Sequence, residues 1–396
     1  MKKNKYGIIY YNETCNLGDD IQTYAVYRHL PKVDYYIDRE SLSYFVPKKE
    51  EKVKVIMNGW YNHDKTQVLP SPYIDPLYIS IHYSANDLLL KPGYTFLDGY
   101  AKEVMGKYKI GCRDKHTLEH LKKLNYKNLY FSSCLTTTLD PIGKKKEEDY
   151  IVVVDMNPKI VEHLRTITDM KIVETTHWLF INNEMSYDEK LRKIDEFDKG
   201  NPAKRREIMK DHIKLSFSDR MKLVEKQLKL YQNAKLVITD RIHVGLPCLG
   251  LKTNTLLIYY DYNSDRIETF KELLTNCTEE EFYNLTKEDV QNIKNKNNYL
   301  KYREKLLKDI NKFIEEDSSK EELPKIEHYK EFIKREEYIK NLYNEKLEEI
   351  KEENKELKEK NEKYKKELDF FTKVKHSKSW KIIGKIYEKK SNKTKK

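Results

Sequence analysis

Cysteine is scarce in this chain of 396 residues: Cys15, Cys112, Cys134, Cys248 and Cys277 make five, an odd number, with no C-x-x-C pair and no paired Cys/His spacing. Neither a disulfide framework nor a structural zinc site is suggested by that pattern, and the chain reads as reduced and intracellular. Long apolar runs are missing too. After the basic start Met1-Lys2-Lys3-Asn4-Lys5 the apolar run is only Gly7 to Tyr11, short of a signal-peptide core and of the ~20 residues that span a bilayer. Neither a cleaved signal nor a membrane span is expected. His, Cys and carboxylate residues nowhere cluster at ligand spacing, so no metal and no cofactor is expected either.

What is abundant is charge, and it is unevenly placed. The net charge is +11, yet Thr372 to Lys396 holds ten lysines against the single acid Glu388, which is nine of those eleven charges. A whole-protein nucleic-acid binder is therefore disfavoured. Charged residues make up 36% and hydrophobic residues 38%; averaged over the chain this looks disorder-prone against the usual ~25% charged. The average misleads, because the excess charge lies after about Asp317.

Four regions follow from the pattern. Residues 1–145 alternate short apolar runs with helical stretches: Tyr6–Tyr11, Val33–Ile37, Val53–Met57, Leu77–His82, Tyr108–Cys112 and Leu129–Ser132 read as strands. Several are apolar on both faces, as expected of strands buried between helix layers. Residues 146–317 start a second α/β unit at Tyr150–Asp155, which continues through Ile172–Thr175, Leu236–Thr239 and Thr255–Tyr260. A polar helical insertion precedes the third of these, with Met221, Val224, Leu228 and Tyr231 at helical spacing. The expected fold class is α/β, two tandem doubly wound domains with a cleft between them.

Residues 318–371 read as a linker and coiled coil. Tyr343, Leu347, Ile350, Asn354, Leu357, Asn361, Tyr364, Leu368 and Phe371 keep alternating spacings of four and three. Asn354 and Asn361 then share one core position, which selects a parallel two-stranded register and implies a homodimer. A single solvated helix with Lys and Glu on all faces is the alternative. In residues 372–396, Trp380, Ile383, Ile386 and Tyr387 fall on one face, with Lys378, Lys381, Lys385 and Lys389 around the other. That is the pattern of an amphipathic helix on an anionic membrane surface, each lysine contributing roughly 1 kcal/mol. A disordered solubilising tail is the alternative.

Three constellations carry chemistry. Asn16-Leu17-Gly18-Asp19-Asp20-Ile21-Gln22 follows the first strand, where a loop of an open α/β sheet faces the ligand crevice. Gly18 allows close backbone approach, and Asp19 or Asp20 suits a helix cap as well as a cleft. Two carboxylates at that helix start would repel a phosphate, which excludes a glycine-rich nucleotide loop. Thr239-Asp240-Arg241-Ile242-His243 ends the buried strand of the second unit and offers a bidentate cation beside a titratable acid/base. Arg113 and His82 each end an apolar strand; either both line the cleft or His82 is a structural hydrogen-bonder.

With these in hand, the chain resembles the polysaccharide pyruvyl transferase family. The resemblance rests on five ordered segments: Asn16 to Asp19 with Gln22; Met57-Asn58-Gly59-Trp60 with Pro76 to His82; Arg113 to Leu118; Phe131-Ser132-Ser133-Cys134-Leu135-Thr136; and Ile238 to His243. It spans about residues 5–275. The closing Ser377-Lys378-Ser379-Trp380-Lys381 resembles tails of enzymes that build bacterial surface glycans. The chain departs from the family where Ser133 replaces Gly, Ile242 replaces Leu and Val244-Gly245 replaces a small-residue pair.

The resemblance implies two Rossmann-like domains similar to the metal-independent glycosyltransferases. It also implies transfer of the pyruvyl group of phosphoenolpyruvate onto two hydroxyls of a glycan or lipid-linked sugar, as a cyclic ketal. Phosphoenolpyruvate is then a co-substrate, with Arg241, Arg113 and Gly18 at the donor, His243 as general acid and Asp19 as base. Asn16, Gln22, His82 and Thr136 complete the expected cleft. The expected place is the cytoplasm, at the inner face of the plasma membrane where the tail engages it. A nucleotide-sugar glycosyltransferase, with Arg241 and His243 on a diphosphate, and a non-catalytic scaffold of glycan assembly are the competing readings.

Overall fold

The structure is a computed structural model that describes residues 4–12, 14–61, 69–83, 97, 99–182, 184–260, 265–318, 322–376, 380 and 382. The chain divides into two compact units, Met1–Ile333 and Lys334–Lys396.

The first unit contains two parallel sheets. One has six strands, β1 (Lys5–Tyr10), β2 (Tyr35–Asp38), β3 (Val53–Trp60), β4 (Ile74–His82), β5 (Ile110–Cys112) and β6 (Leu129–Phe131), in the order β2-β1-β3-β4-β5-β6. The other has five, β7 (Glu148–Val154), β8 (Lys171–Thr175), β9 (Ala234–Thr239), β10 (Asn254–Tyr259) and β11 (Thr275–Thr278), in the order β11-β10-β9-β7-β8. All pairings are parallel, with Lys5 opposite Val53 and Leu257 opposite Thr239. Every strand expected from an apolar run is present, with ends shifted by a few residues. The edge strand β11 was not expected, because Thr275-Asn276-Cys277-Thr278 is polar and carries no apolar run.

In each sheet the strand order reverses once, between β1 and β3 and between β7 and β9. Loops leaving the carboxyl ends of strands at such a reversal diverge and open a crevice. The segments Asn16–Gln22, Asp155 and Thr239–His243 leave β1, β7 and β9 there. Helix α1 (Leu17–Tyr27) starts immediately after β1: the Asn16 side chain caps it by accepting from Gly18 N–H at 3.0 Å, and Asp19 and Asp20 occupy the first turn, complementing the helix dipole. The cap is thus Asn16, not either aspartate.

One continuous core locks the two sheets together. Ile8, Ile56 and Ile79 of the first sheet share it with Val152, Val154 and Val237 of the second. Between β8 and β9 lie α5 (Tyr187–Lys199), α6 (Pro202–Ile213) and α7 (Phe217–Asn233), and α7 buries Met221, Val224, Leu228 and Tyr231 as their spacing predicts. Leu306, Ile310 and Phe313 of α12 (Leu300–Glu315) enter the same core, although the helix follows the second sheet in sequence. Each such side chain contributes roughly 1.5–3 kcal/mol on burial, against ~0–1 kcal/mol for an exposed pair such as Lys312–Glu316. Apolar packing therefore sets the mutual placement of the sheets.

The long helix α13 (Ile326–His376) begins in the first unit, where Tyr329 and Phe332 pack against a core cluster with Met57, Ile74 and Tyr78. Its continuation in the second unit carries ion pairs one turn apart, such as Lys351–Glu348 and Lys365–Glu362. Leu357, Tyr364, Leu368 and Phe371 are each more than half exposed. Among the described residues no helix is long and apolar enough to cross a membrane. Of the expected amphipathic tail, Ile383, Ile386 and Tyr387 and the facing lysines lie outside the described residues.

Candidate functional site

At the end of β9 the Thr239 hydroxyl accepts from Arg241 N–H at 3.0 Å and donates to Val154 O at 3.3 Å. This turn ties the strand end to β7 and starts α8 (Ile242–Gly250), which kinks at His243 (φ −83°, ψ 15°). His243 is nearly buried, and α1 approaches it so closely that a Cβ on Gly18 would stand 3.1 Å from His243 Cβ and 3.3 Å from Nδ1. Glycine is the residue that permits this contact.

On its other side His243 Nε2 lies 3.5 Å from Nη1 of Arg113. Arg113 is 1% exposed, and its Nε and Nη2 have no hydrogen-bond partner among the described residues. Asp114 steadies it, with Oδ2 3.7 Å from Arg113 Nε. The same oxygen accepts from His82 Nδ1–H at 2.6 Å, and Oδ1 accepts from Thr117 N–H at 2.7 Å, capping α3 (Lys115–Lys123). Burial alone would raise the Asp114 carboxyl; the hydrogen bond and charge of His82, then Arg113 and the Thr117 N–H, hold it at about 2. Ser133 adopts φ 65°, a left-handed conformation that favours glycine.

A cleft of 610 Å³ opens along the second sheet, lined among others by Asn16, Asp155, His177, Trp178, Asp240, Arg241 and His243. Arg241 Nε lies 2.5 Å from Asp155 Oδ2, and its guanidinium carbon stands 5.0 Å from the centre of the Trp178 ring. Asp155 follows β7 with φ 55°, and its Oδ2 also accepts from His177 N–H at 3.0 Å. His177 is buried, with Nε2 2.8 Å from the Tyr231 hydroxyl. Burial, reinforced by Arg241, keeps its ring neutral with a pKa of about 3. Asp240 is the opposite case: burial raises its carboxyl, Arg241 opposes this and Asp155 adds to it, leaving it at about 6.

Of the residues singled out in the sequence, Asn16, Arg241 and His243 line the cleft, while Gly18 and Arg113 touch His243. Asp19 is not among the lining residues; its carboxylate accepts from Thr14 Oγ1 at 2.7 Å and from Gln22 Nε2 at 3.3 Å. Gln22 is buried, and its carbonyl accepts from Asn58 Nδ2 at 3.3 Å. His82 is buried against Asp114, and Thr136 is fully buried with Oγ1 3.2 Å from Cys134 Sγ. Sequence reasoning passed over Asp155, His177, Trp178, Asp240 and Asp114. Asp240 stood inside a quoted motif and Asp155 at a strand end; Trp178 follows β8 with no local signal. Among the described residues no group of three or more His, Cys, Asp or Glu is placed to hold a metal ion.

The family model for polysaccharide pyruvyl transferase matches residues 16–262, a stretch that holds the segments after β1, β5 and β9. The chain belongs to the polysaccharide pyruvyl transferase family. No curated protein matches it by sequence. Among solved structures, it is similar to a functionally uncharacterised protein of Klebsiella pneumoniae, at 15% identity over 68% of this chain and 88% of that one, with a TM-score of 0.34. The UDP-GlcNAc 2-epimerase of Methanocaldococcus jannaschii matches at 13% identity over 84% of this chain and 99% of that one, TM-score 0.34. MnaA of S. aureus, solved with UDP, matches at 11% identity over 78% and 90%, TM-score 0.36.

Proposed function

We propose that this pyruvyl transferase family member moves the pyruvyl group of phosphoenolpyruvate onto two hydroxyls of a sugar in a cell-surface polysaccharide precursor, forming a cyclic ketal and releasing phosphate. The observation that carries the reading is the buried contact of Arg113 with His243, 3.5 Å apart, which joins motifs from the two sheets. The donor carries a carboxylate and a phosphate on one small frame, and two guanidinium groups, Arg113 against His243 and Arg241 in the cleft that His243 lines, suit that demand. His243 protonates the methylene carbon, leaving an electrophilic centre at its neighbour. Asp155 takes the Nε edge of Arg241, and the Nη pair is the edge assigned to the donor. Incubating the protein with phosphoenolpyruvate and a panel of sugar acceptors should release phosphate in step with a ketal product detected by mass spectrometry. Phosphoenolpyruvate left intact while a nucleotide sugar is consumed would overturn the reading.

The stretch from Tyr343 to Phe371 is proposed to pair with a second copy as a parallel coiled coil. Its support is the seam of Leu357, Tyr364, Leu368 and Phe371, exposed on the single helix. Sedimentation equilibrium should give a dimer that dissociates when Leu357 and Leu368 are both changed to lysine; a monomeric unmodified chain contradicts the pairing.

A further inference from the structure

Arg241 is held on two sides. Its Nε forms an ion pair with Asp155 at 2.5 Å, and its guanidinium carbon stands over the Trp178 ring, 5.0 Å from the ring centre. A guanidinium is planar, so a carboxylate on one edge and an aromatic ring on one face leave the Nη edge for a ligand. Arg241 and Trp178 both line the 610 Å³ cleft. The neighbour of Trp178 on the chain, Leu179, packs instead against the apolar core.

The Trp178 ring has supports of its own. It packs on Phe180 at 5.5 Å and on Phe197 of α5 at 6.0 Å, and those two rings stack on each other at 5.3 Å. Arg205 of α6 fastens this group by donating from Nε to Phe197 O at 3.0 Å. The backbone is fixed as well. Trp178 N–H donates to Thr176 Oγ1 at 3.0 Å, Leu179 N–H donates to Cys15 O at 2.9 Å, and Leu17 N–H donates to His177 O at 2.9 Å. The last two bonds flank an antiparallel bridge that sets Trp178 opposite Asn16. Residues 176–179 thus form a strap from the second sheet to the start of α1, the helix whose Gly18 abuts His243. His177 N–H of the same strap donates to Asp155 Oδ2, so one segment carries the ring on the face of Arg241 and steadies the carboxylate on its edge.

We infer that Trp178 is a positioning residue for donor binding: carried on this strap, it holds the face of Arg241 while Asp155 holds the Nε edge, so that the Nη pair stands preset for two oxygens of a carboxylate or phosphate. The inference rests on the transferase reading above, in which Arg241 grips the donor. Its physical basis is entropic. A free arginine side chain loses rotamer freedom when it closes on a ligand, whereas a clamped one has lost that freedom before the ligand arrives. In this role Trp178 touches no reacting atom, and its effect falls on donor affinity, through Arg241.

Isothermal titration calorimetry of the full chain with inorganic phosphate and with phosphoenolpyruvate, beside phosphate-release kinetics with the acceptor panel, tests the clamp. Trp178→Leu keeps apolar bulk and removes the aromatic face. It should weaken binding of both anions about tenfold and raise KM for phosphoenolpyruvate, with kcat changed less than about threefold. Trp178→Phe restores a face and should bind both anions within about threefold of the unmodified chain. Phe197→Ala removes the ring behind Trp178 without touching Arg241 and should weaken phosphate about threefold; it decides the matter where the Trp178→Leu chain does not fold. Unchanged affinities in the folded Trp178→Leu or Phe197→Ala chain, or a loss that Trp178→Phe does not restore, overturn the positioning role, and phosphoenolpyruvate turnover in the unmodified chain then leaves the transferase reading standing. Phosphate binding that depends on the ring in this way, without turnover of phosphoenolpyruvate, sinks the transferase reading alone. An unmodified chain that binds neither anion overturns both.

Discussion

Replacing His243 with alanine is expected to lower turnover by about 10²–10⁴-fold while the chain stays folded, the usual range for loss of a positioned acid. That range corresponds to about 3–5 kcal/mol of transition-state stabilisation. The expectation rests on placement. His243 sits at a kink after β9, backed by Gly18 of α1 and 3.5 Å from Arg113, so segments from both sheets converge on one ring. The ring is nearly buried, yet it lines the cleft, so truncation removes the acid without exposing the core. Phosphate release measured beside thermal unfolding separates the two effects. A well-folded His243→Ala protein with full turnover would remove the imidazole from the chemistry.

The strands were legible because burial on both faces leaves a continuous apolar run, as in Ile151–Val154 of β7, whereas β11 is short, polar and at an edge, so nothing in its composition marks it. The two motifs that meet at the site were legible for a related reason: Asn16–Gln22 and Thr239–His243 each interrupt an apolar run at a strand's carboxyl end, where an open sheet exposes its loops. What the chain's order does not display is which polar group faces which. The partner of Arg241 is Asp155, eighty-six residues earlier, and that pairing exists only because β7 and β9 are neighbours in the sheet. Trp178 reaches the cleft by the same accident of topology. The helical spacing of α12 announces an apolar face but not that Ile8 and Ile56 cover it.

The same distinction between visible residues and invisible partners governs the largest expected stability effect. Asp20→Ala should destabilise the protein by about 3–5 kcal/mol, the cost of leaving a buried charge without its partner. Asp20 is 1% exposed and forms an ion pair with Arg220 of α7, itself 4% exposed; Arg220 also donates to Tyr11 O at 2.7 Å, and His212 Nε2 lies 3.3 Å from the other Asp20 oxygen. An exposed pair such as Lys122–Glu119 is held by the same Coulomb attraction in water and should contribute ~0–1 kcal/mol, so Glu119→Ala serves as the control. Removing both charges with apolar residues of similar volume, as Asp20→Leu with Arg220→Met, should cost less than Asp20→Ala alone, since no uncompensated guanidinium remains. Thermal and denaturant unfolding of the three variants would read this out, and an Asp20→Ala protein within 1 kcal/mol of the unmodified chain would contradict it. The clasp also bears on catalysis. Asp20 lies two residues after Gly18, and a first turn of α1 released from α7 would move Gly18 off the His243 ring, so turnover should fall with stability in Asp20→Ala and recover with it in the double variant.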